Sequence, residues 1–516
     1  MSNTKLFRFE PLVFLFFVIL NTIPVIANYY FPTVDGPAHL YNANLLKHFW
    51  VYNDRSVSSF FDINSNVNSN WFTHIFYLIS GTVFSASVSD KILLTGFVFA
   101  FSYGFRLLVT KANNKSASFF SSYLIFPFIY SFTLCIGFFN FTIGIAFIFL
   151  ISYYWLKIRD TLLRKKVLLF CFLLLLIFYT HVLDFVVVML LISMYELIEA
   201  VRNKSKRRIL FLSIACTPSL ILLAGFMLNN KSTEAFRFIE RAELNKWLLQ
   251  LNPIVTYNYE DEKLFSLIVF LAITFLSLIS VIKFLGRVFR KENIAAFNMA
   301  VAFCVLFLLA LYYAMPDNMF TGGFLSMRIG YFLLLFIILF NSVVVKNIKV
   351  LVLPVVLCLI ANVLMVRYHC DKTKQLSNEA KDYERIASFM EEGSVLLPLN
   401  YSDNWLHNNF SSYTGMGKLI FILDNYEAEK THFPLRWKEN KNPQEYLGNL
   451  GHINPCLDLD KYERVTGKKI NYISKWKYDG NTNNSCAAAT DSFIKVNFME
   501  VYKSGSGSVI LYKRRG

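Results

Sequence analysis

Pro11-Leu-Val-Phe-Leu-Phe-Phe-Val-Ile-Leu20-Asn-Thr-Ile-Pro-Val-Ile-Ala-Asn-Tyr29 runs almost directly into Phe31-Pro-Thr-Val-Asp35-Gly-Pro-Ala-His39-Leu-Tyr-Asn-Ala-Asn44. The first string is long and apolar enough to cross about 30 Å of hydrocarbon. It lacks a small-x-small cleavage site and carries Asn21 and Pro24, so it reads as an uncleaved anchor rather than a signal peptide. The second string sets an acid and a histidine at i and i+4, close together if the segment after Pro37 is helical. Two readings of Asp35 stand side by side. A carboxylate at a membrane edge is poorly solvated, which tunes it as a general base. Alternatively, Asp35-Gly36-Pro37 is a turn and Asp35 caps the helix that follows.

Further apolar runs follow at about 71–88, 91–110, 119–136, 139–156, 167–180, 183–200, 208–228, 264–283, 294–315, 328–346 and 349–366. The chain of 516 residues is 55% hydrophobic with only 17% charged residues, against about 25% in soluble domains. The class is a polytopic α-helical membrane protein. Net charge is +16, but the basic residues cluster in short connections at 157–166, 202–208, 283–291 and 346–349. That is the positive-inside pattern, and anionic headgroups account for it without nucleic acid.

With those loops cytoplasmic, every other connection is placed consistently provided one early segment does not cross. The segment chosen is 71–88, which is short and ends in the polar run 85–90. This leaves about eleven transmembrane helices. The expected domains are a membrane domain over 1–366, with extracytoplasmic loops at 30–70 and 229–263, and a soluble extracytoplasmic domain over 367–516. In the latter, a helix over 380–393 stopped by Gly393, a strand from Ser394 and a strand at 508–512 suggest an α/β fold. No C-x-x-C motif occurs; a Cys456–Cys486 disulfide is expected if this region faces an oxidising compartment.

Under this topology unusual polar groups converge on the extracytoplasmic face: Asp35 and His39, His74, Asn140, His181 with Asp184, Arg237 and Arg241, and Arg328. Ionisable groups at membrane depth are costly and point to function. Each also has a structural reading: His74 and His181 bonded to backbone carbonyls, Asp184 paired with His181, Asn140 capping a helix, Arg328 snorkelling. An acid, several histidines and scattered Arg at such a face suit transfer of a sugar from a lipid phosphate. The carboxylate would take the acceptor proton and the cations would hold the leaving phosphate.

Asp35-Gly-Pro-Ala-His39-Leu, Trp71-x-x-His74, Gly137-Phe-Phe-Asn140-Phe, Thr180-His181 and Arg328 at the start of a late span resemble the C-type (GT-C) membrane glycosyltransferases. The similarity is to bacterial members with a D-G-P-x-H-L motif after the first span. It implies a polyprenyl-phosphosugar donor, an envelope glycan, lipid or protein acceptor, and a bacterial inner-membrane location with a periplasmic C-terminal domain. Asp35 and His39 would be catalytic, and His74, Asn140, His181, Arg237, Arg241 and Arg328 would bind substrate. The W-W-D-Y-G, paired Asp-Glu and K-P-P-L motifs of better-known members are absent, so the resemblance does not carry a particular sugar or acceptor. No metal ligand and no cofactor is assigned, although the resemblance makes His39 a candidate ligand in metal-using members and an Asp/His site suits a divalent cation such as Mg or Mn. The rival readings are a transporter or flippase of lipid-linked sugars and a non-catalytic envelope assembly protein.

Overall fold

The computed structural model describes residues 4–516 apart from 67, 114–116, 162, 205, 230–234, 320–321, 449, 451–456 and 479–484. The chain divides into two compact units. One comprises Met1–Ala27, Val67–Phe72 and Leu94–Asp371; the other comprises Asn28–Asn66, Thr73–Leu93 and Lys372–Gly516. The second differs from the expected C-terminal domain by taking in most of the first loop and the segment after it.

Among the described residues, eight helices are long and apolar enough to cross a membrane: Phe9–Ile26, Ala86–Asn113, Phe139–Ile158, Arg207–Asn229, Tyr259–Phe289, Ala296–Ala314, Leu325–Val344 and Ile348–Phe389. Their outer faces explain the composition. Along Tyr259–Phe289, Phe265, Val269, Ala272, Ile273 and Leu276 are buried, whereas Leu264, Leu267, Leu271, Leu278 and Ile282 are exposed. An apolar stripe of this length is what a helix presents to lipid, not to water. The protein is a polytopic helical one.

Two further helices, Arg164–Thr180 and Val182–Asn203, follow Phe139–Ile158 and pack against it. The first has only 17 residues, and the second carries Glu196 and Glu199. These acids are engaged: Arg159 Nε donates to Glu196 at 2.8 Å, and Arg208 lies 2.6 Å from Asp160 and 3.3 Å from Glu199. Arg202 in turn reaches the carbonyl of Ile294. The basic connections at 157–166 and 202–208 thus meet the connection before Ala296 at one end of the helix array. Arg328 stands at the start of Leu325–Val344 and the basic connection 346–349 at its finish, about 30 Å apart by helical rise.

In the early region the segment expected not to cross, 71–88, is short of a span, whereas 119–136 departs from the smooth span that hydropathy suggests. Segment 71–88 contains a nine-residue helix, Phe72–Ser80, too short at about 14 Å to cross. Segment 119–136 is not one helix but a chain of short pieces: Ala117–Ser121, a 3-10 stretch Ser122–Phe128, and Phe132–Cys135. Two of its carbonyls accept from neighbouring helices, Phe126 O from Asn362 Nδ2 at 3.1 Å and Phe128 O from the Tyr331 hydroxyl. Irregular backbone at membrane depth is tolerated only under such cover, and residues 121–131 are all buried.

In the second unit the described residues form seven short strands: β1 (Phe61–Ile63), β2 (Ser394–Asn400), β3 (Ile420–Ile422), β4 (Leu435–Trp437), β5 (Tyr472–Trp476), β6 (Phe498–Lys503) and β7 (Val509–Arg514). One sheet has the order β3-β2-β5-β7-β6, with β2 parallel to β3 and β5 and the remaining pairs antiparallel. The expected helix over 380–393 is instead the tail of Ile348–Glu384, followed by a 3-10 turn, Arg385–Phe389; Gly393 then takes a positive φ of 75° just before β2. Strand β1, from the first loop, pairs antiparallel with β4. Cys486 is disulfide-bonded; its expected partner, Cys456, lies outside the described residues.

Candidate functional site

Helix Gly36–Trp50 begins with Gly36-Pro37, where proline's fixed φ and missing N–H cost nothing. Asp35 occupies the N-cap position, yet with φ −94° and ψ −18° its side chain makes no capping hydrogen bond. The Thr33 hydroxyl instead accepts from Gly36 N at 3.0 Å. Asp35 Oδ1 accepts from the Asn409 amide at 3.1 Å, and the same amide holds Val34 O at 3.1 Å. Asp35 as a residue is partly exposed, and the Tyr426 hydroxyl stands beside its carboxylate. Of the two sequence readings, capping is the one this geometry does not support.

The next eleven residues of that helix, Gly36 to Leu46, are buried, including its polar ones. Tyr41 donates to Ile420 O at 2.9 Å and accepts from Ile422 N at 3.0 Å. Asn42 and Asn425 exchange amide hydrogen bonds of 3.0 and 2.9 Å, and Asn44 Nδ2 donates to Gly415 O at 2.9 Å. These bonds fix the helix against β3 and the turn after it.

That turn, Tyr426–Glu429, delivers Glu427 to the two predicted histidines. Glu427 Oε1 pairs with His39 Nδ1, and Oε2 lies 2.8 Å from His74 Nε2. All three residues are buried: His39 is 3% exposed, His74 0% and Glu427 1%. The two imidazoles stand 5.1 Å apart at 75°, with Phe433 packed on both. Burial alone would push the Glu427 carboxyl up, but attraction and hydrogen bonds from His39 and His74 outweigh it and hold it down at about 2. Their donor atoms all lie within 4.8 Å of one another, so these three residues are the ones able to hold a metal ion among those described. His74 is therefore bonded to a carboxylate rather than to a backbone carbonyl.

Two further acids sit in the same segment. Asp424 accepts from the Ser411 hydroxyl at 2.9 and 2.8 Å, and burial pushes it up to about 7. Burial also pushes Glu429 up to about 7, against the pull of Lys430. A carboxyl raised in the folded state contributes stability fully below its ordinary value of 3.8, and this is lost as pH rises toward 7. Asp424→Asn is therefore expected to flatten the fall in stability between about pH 4 and 7, read as melting temperature against pH. An unchanged pH profile would refute the assignment. A cavity of about 320 Å³ opens beside the same helices, lined by Asn44, Lys47, Tyr77, Tyr30 and Glu384.

The remaining predicted residues fall in the other unit. There Arg328 Nη1 lies 3.3 Å from His181 Nε2, His181 Nδ1 is 2.9 Å from Asp184 Oδ2, and the Arg328 guanidinium stacks over Phe138 at 4.3 Å. His181 thus lies against Asp184, the contact that the structural reading of Asp184 expected. Asn140 does not cap its helix; its amide donates to Asn70 O at 3.1 Å. Arg237 is 64% exposed and pairs with the buried Asp317 at 2.5 Å, while Arg241, at the start of Arg241–Leu249, is exposed.

Asp184 is fully buried against Gly144, where a Cβ would stand 2.5 Å from Asp184 Oδ2. Gly144→Ala should cost about 1–3 kcal/mol by overpacking, seen as faster thermal inactivation in detergent. An unaltered half-life would mean that the carboxylate can move aside.

Sequence reasoning missed Glu427, Asn409 and Asp424. The one signal for the acids was position, directly after a short apolar run that becomes a parallel strand, since functional groups gather beyond the carboxyl ends of such strands. No protein-family model matches the chain, and no curated protein is significantly similar to it.

Proposed function

We propose that this protein is a membrane glycosyltransferase that moves a sugar from a polyprenyl-phosphate donor to a hydroxyl of an extracytoplasmic envelope acceptor. The observation that carries the reading is Asp35. Its carboxylate sits at a helix N-terminus, is not used as a cap, is oriented by Asn409 and belongs to a residue that is only partly buried. In this role Asp35 takes the proton of the acceptor hydroxyl as its oxygen bonds to the anomeric carbon. The bond from that carbon to the phosphate oxygen breaks, and polyprenyl phosphate leaves with the electron pair. Arg328 with His181 is assigned a phosphate headgroup in its own unit, since a guanidinium among aromatic rings suits an anion on an apolar tail.

Eleven crossings follow if Arg164–Thr180, Val182–Asn203 and the broken stretch 117–135 join the eight apolar helices. The basic connections are then cytoplasmic, and Asp35 and the sheet-bearing region are extracytoplasmic in a bacterial inner membrane. The disulfide at Cys486 supports that side, because disulfides persist in oxidising compartments.

The test is mass spectrometry of envelope glycans and lipids from cells carrying wild type or Asp35→Asn at matched expression. Loss of one glycosylated species with accumulation of its bare acceptor supports transfer. An unchanged envelope, where deletion of the whole protein alters it, removes the enzymatic reading and leaves transport or assembly.

A further inference from the structure

His39, His74 and Glu427 come from three separate elements, two of them hundreds of residues from the third along the chain. They nonetheless bring His39 Nδ1, His74 Nε2 and a Glu427 carboxylate oxygen within 4.8 Å of one another in the interior. We infer that this triad is a binding site for one divalent transition-metal ion of the zinc class, with three protein ligands and a fourth position left for an oxygen ligand.

Three physical arguments carry this. The first is donor type: two imidazoles and one carboxylate match zinc and its neighbours, whereas magnesium and calcium select oxygen ligands. The second is spacing. Tetrahedral bonds of about 2.0–2.1 Å place donors roughly 3.3 Å apart. The triad has His74 Nε2 at 2.8 Å from Glu427 and all three donors within 4.8 Å, so the short pair opens by about 0.5 Å and the widest closes by at most about 1.5 Å to admit the ion. The third is support. The Asn42–Asn425 amide pair ties the helix that carries His39 to the turn that carries Glu427, and Phe433 packs both rings. Ligands held this way lose little freedom on binding. A buried carboxylate also demands a positive charge, and a divalent ion supplies it. The inference stands apart from the transfer reaction, since it requires only that the ion be bound.

The test uses the full chain purified in detergent, treated with chelator, exposed to Zn2+ and desalted. Metal is then counted by mass spectrometry, and Co2+ is titrated in parallel. Wild type and His48→Ala, whose imidazole faces Asp54 instead, should retain about one ion per chain. Glu427→Gln and His74→Gln should retain less than about a tenth of that. Chelated wild type should also develop the visible ligand-field bands of four- or five-coordinate Co2+. The inference is overturned if wild type holds no stoichiometric ion and Co2+ stays hexaaquo-like, or if Glu427→Gln holds as much as wild type. Should the variants fail to fold, the Co2+ spectrum of wild type decides alone. Because none of these readings is a turnover, failure of the metal site and failure of the glycosyltransferase reading can be told apart.

Discussion

Asp35→Asn is expected to fold and insert as wild type does while transfer falls by about 10²–10⁴-fold, the usual contribution of a positioned general base. Two features separate the chemistry from the fold here. The Asp35 side chain makes no capping bond, so the helix Gly36–Trp50 does not depend on its charge. The carboxamide also keeps an oxygen for the Asn409 amide, which now donates to Asp35 Oδ1 at 3.1 Å. What the substitution removes is the ability to accept a proton. Asn409→Ala should leave the base in place but unaimed, with a smaller loss of about tenfold, since orientation alone is withdrawn. The measurement is the initial rate with a lipid-phosphate sugar donor, beside the melting temperature of each variant. If Asp35→Asn turns over at the wild-type rate, Asp35 is not the base. If it unfolds, the side chain is structural after all.

The membrane class and the basic end of the helix array were legible because they rest on local properties, run length and the sign of charge in short loops. Asp35, His39 and His74 were legible because an acid and histidines beside apolar runs are unusual wherever they occur. The partner that completes the histidine pair was not. Glu427 lies 388 positions from His39 along the chain, and nothing in Tyr426-Glu-Ala-Glu429 distinguishes a buried acid from a solvated one. Its burial is decided by β3 and by the Asn42–Asn425 bond, both long-range. The apolar run 119–136 reads as a smooth span by hydropathy. Pro127 and three serines favour a break, but whether a break survives in lipid depends on acceptors being covered by Tyr331 and Asn362, far along the chain. Arg237 shows the converse. Its charge was visible in the loop, but its engagement by Asp317 was set by the fold.

Replacing Glu427 should destabilise the protein more than any other single change near the site. Glu427→Ala leaves two buried imidazole nitrogens facing a void, and breaking a buried charge pair costs about 3–5 kcal/mol. Glu427→Gln keeps the shape and one acceptor oxygen, so its cost should be nearer 1–3 kcal/mol. Chelator is kept in all samples, so that no bound ion contributes to the difference. The pH dependence gives an independent check with a fixed sign. The folded carboxyl is held at about 2, below its ordinary value of 4.5. A depressed acid contributes its full stability above the ordinary value and loses it as pH falls through the folded one. Wild type should therefore lose stability more steeply than Glu427→Gln between about pH 4.5 and 2, because the amide has no proton to gain. Thermal half-lives in detergent at several pH values measure both effects. Parallel acid limbs for the two proteins would show that the imidazoles do not hold the carboxylate charged. An alanine variant as durable as wild type would show that the His39–Glu427–His74 contact contributes nothing to the fold.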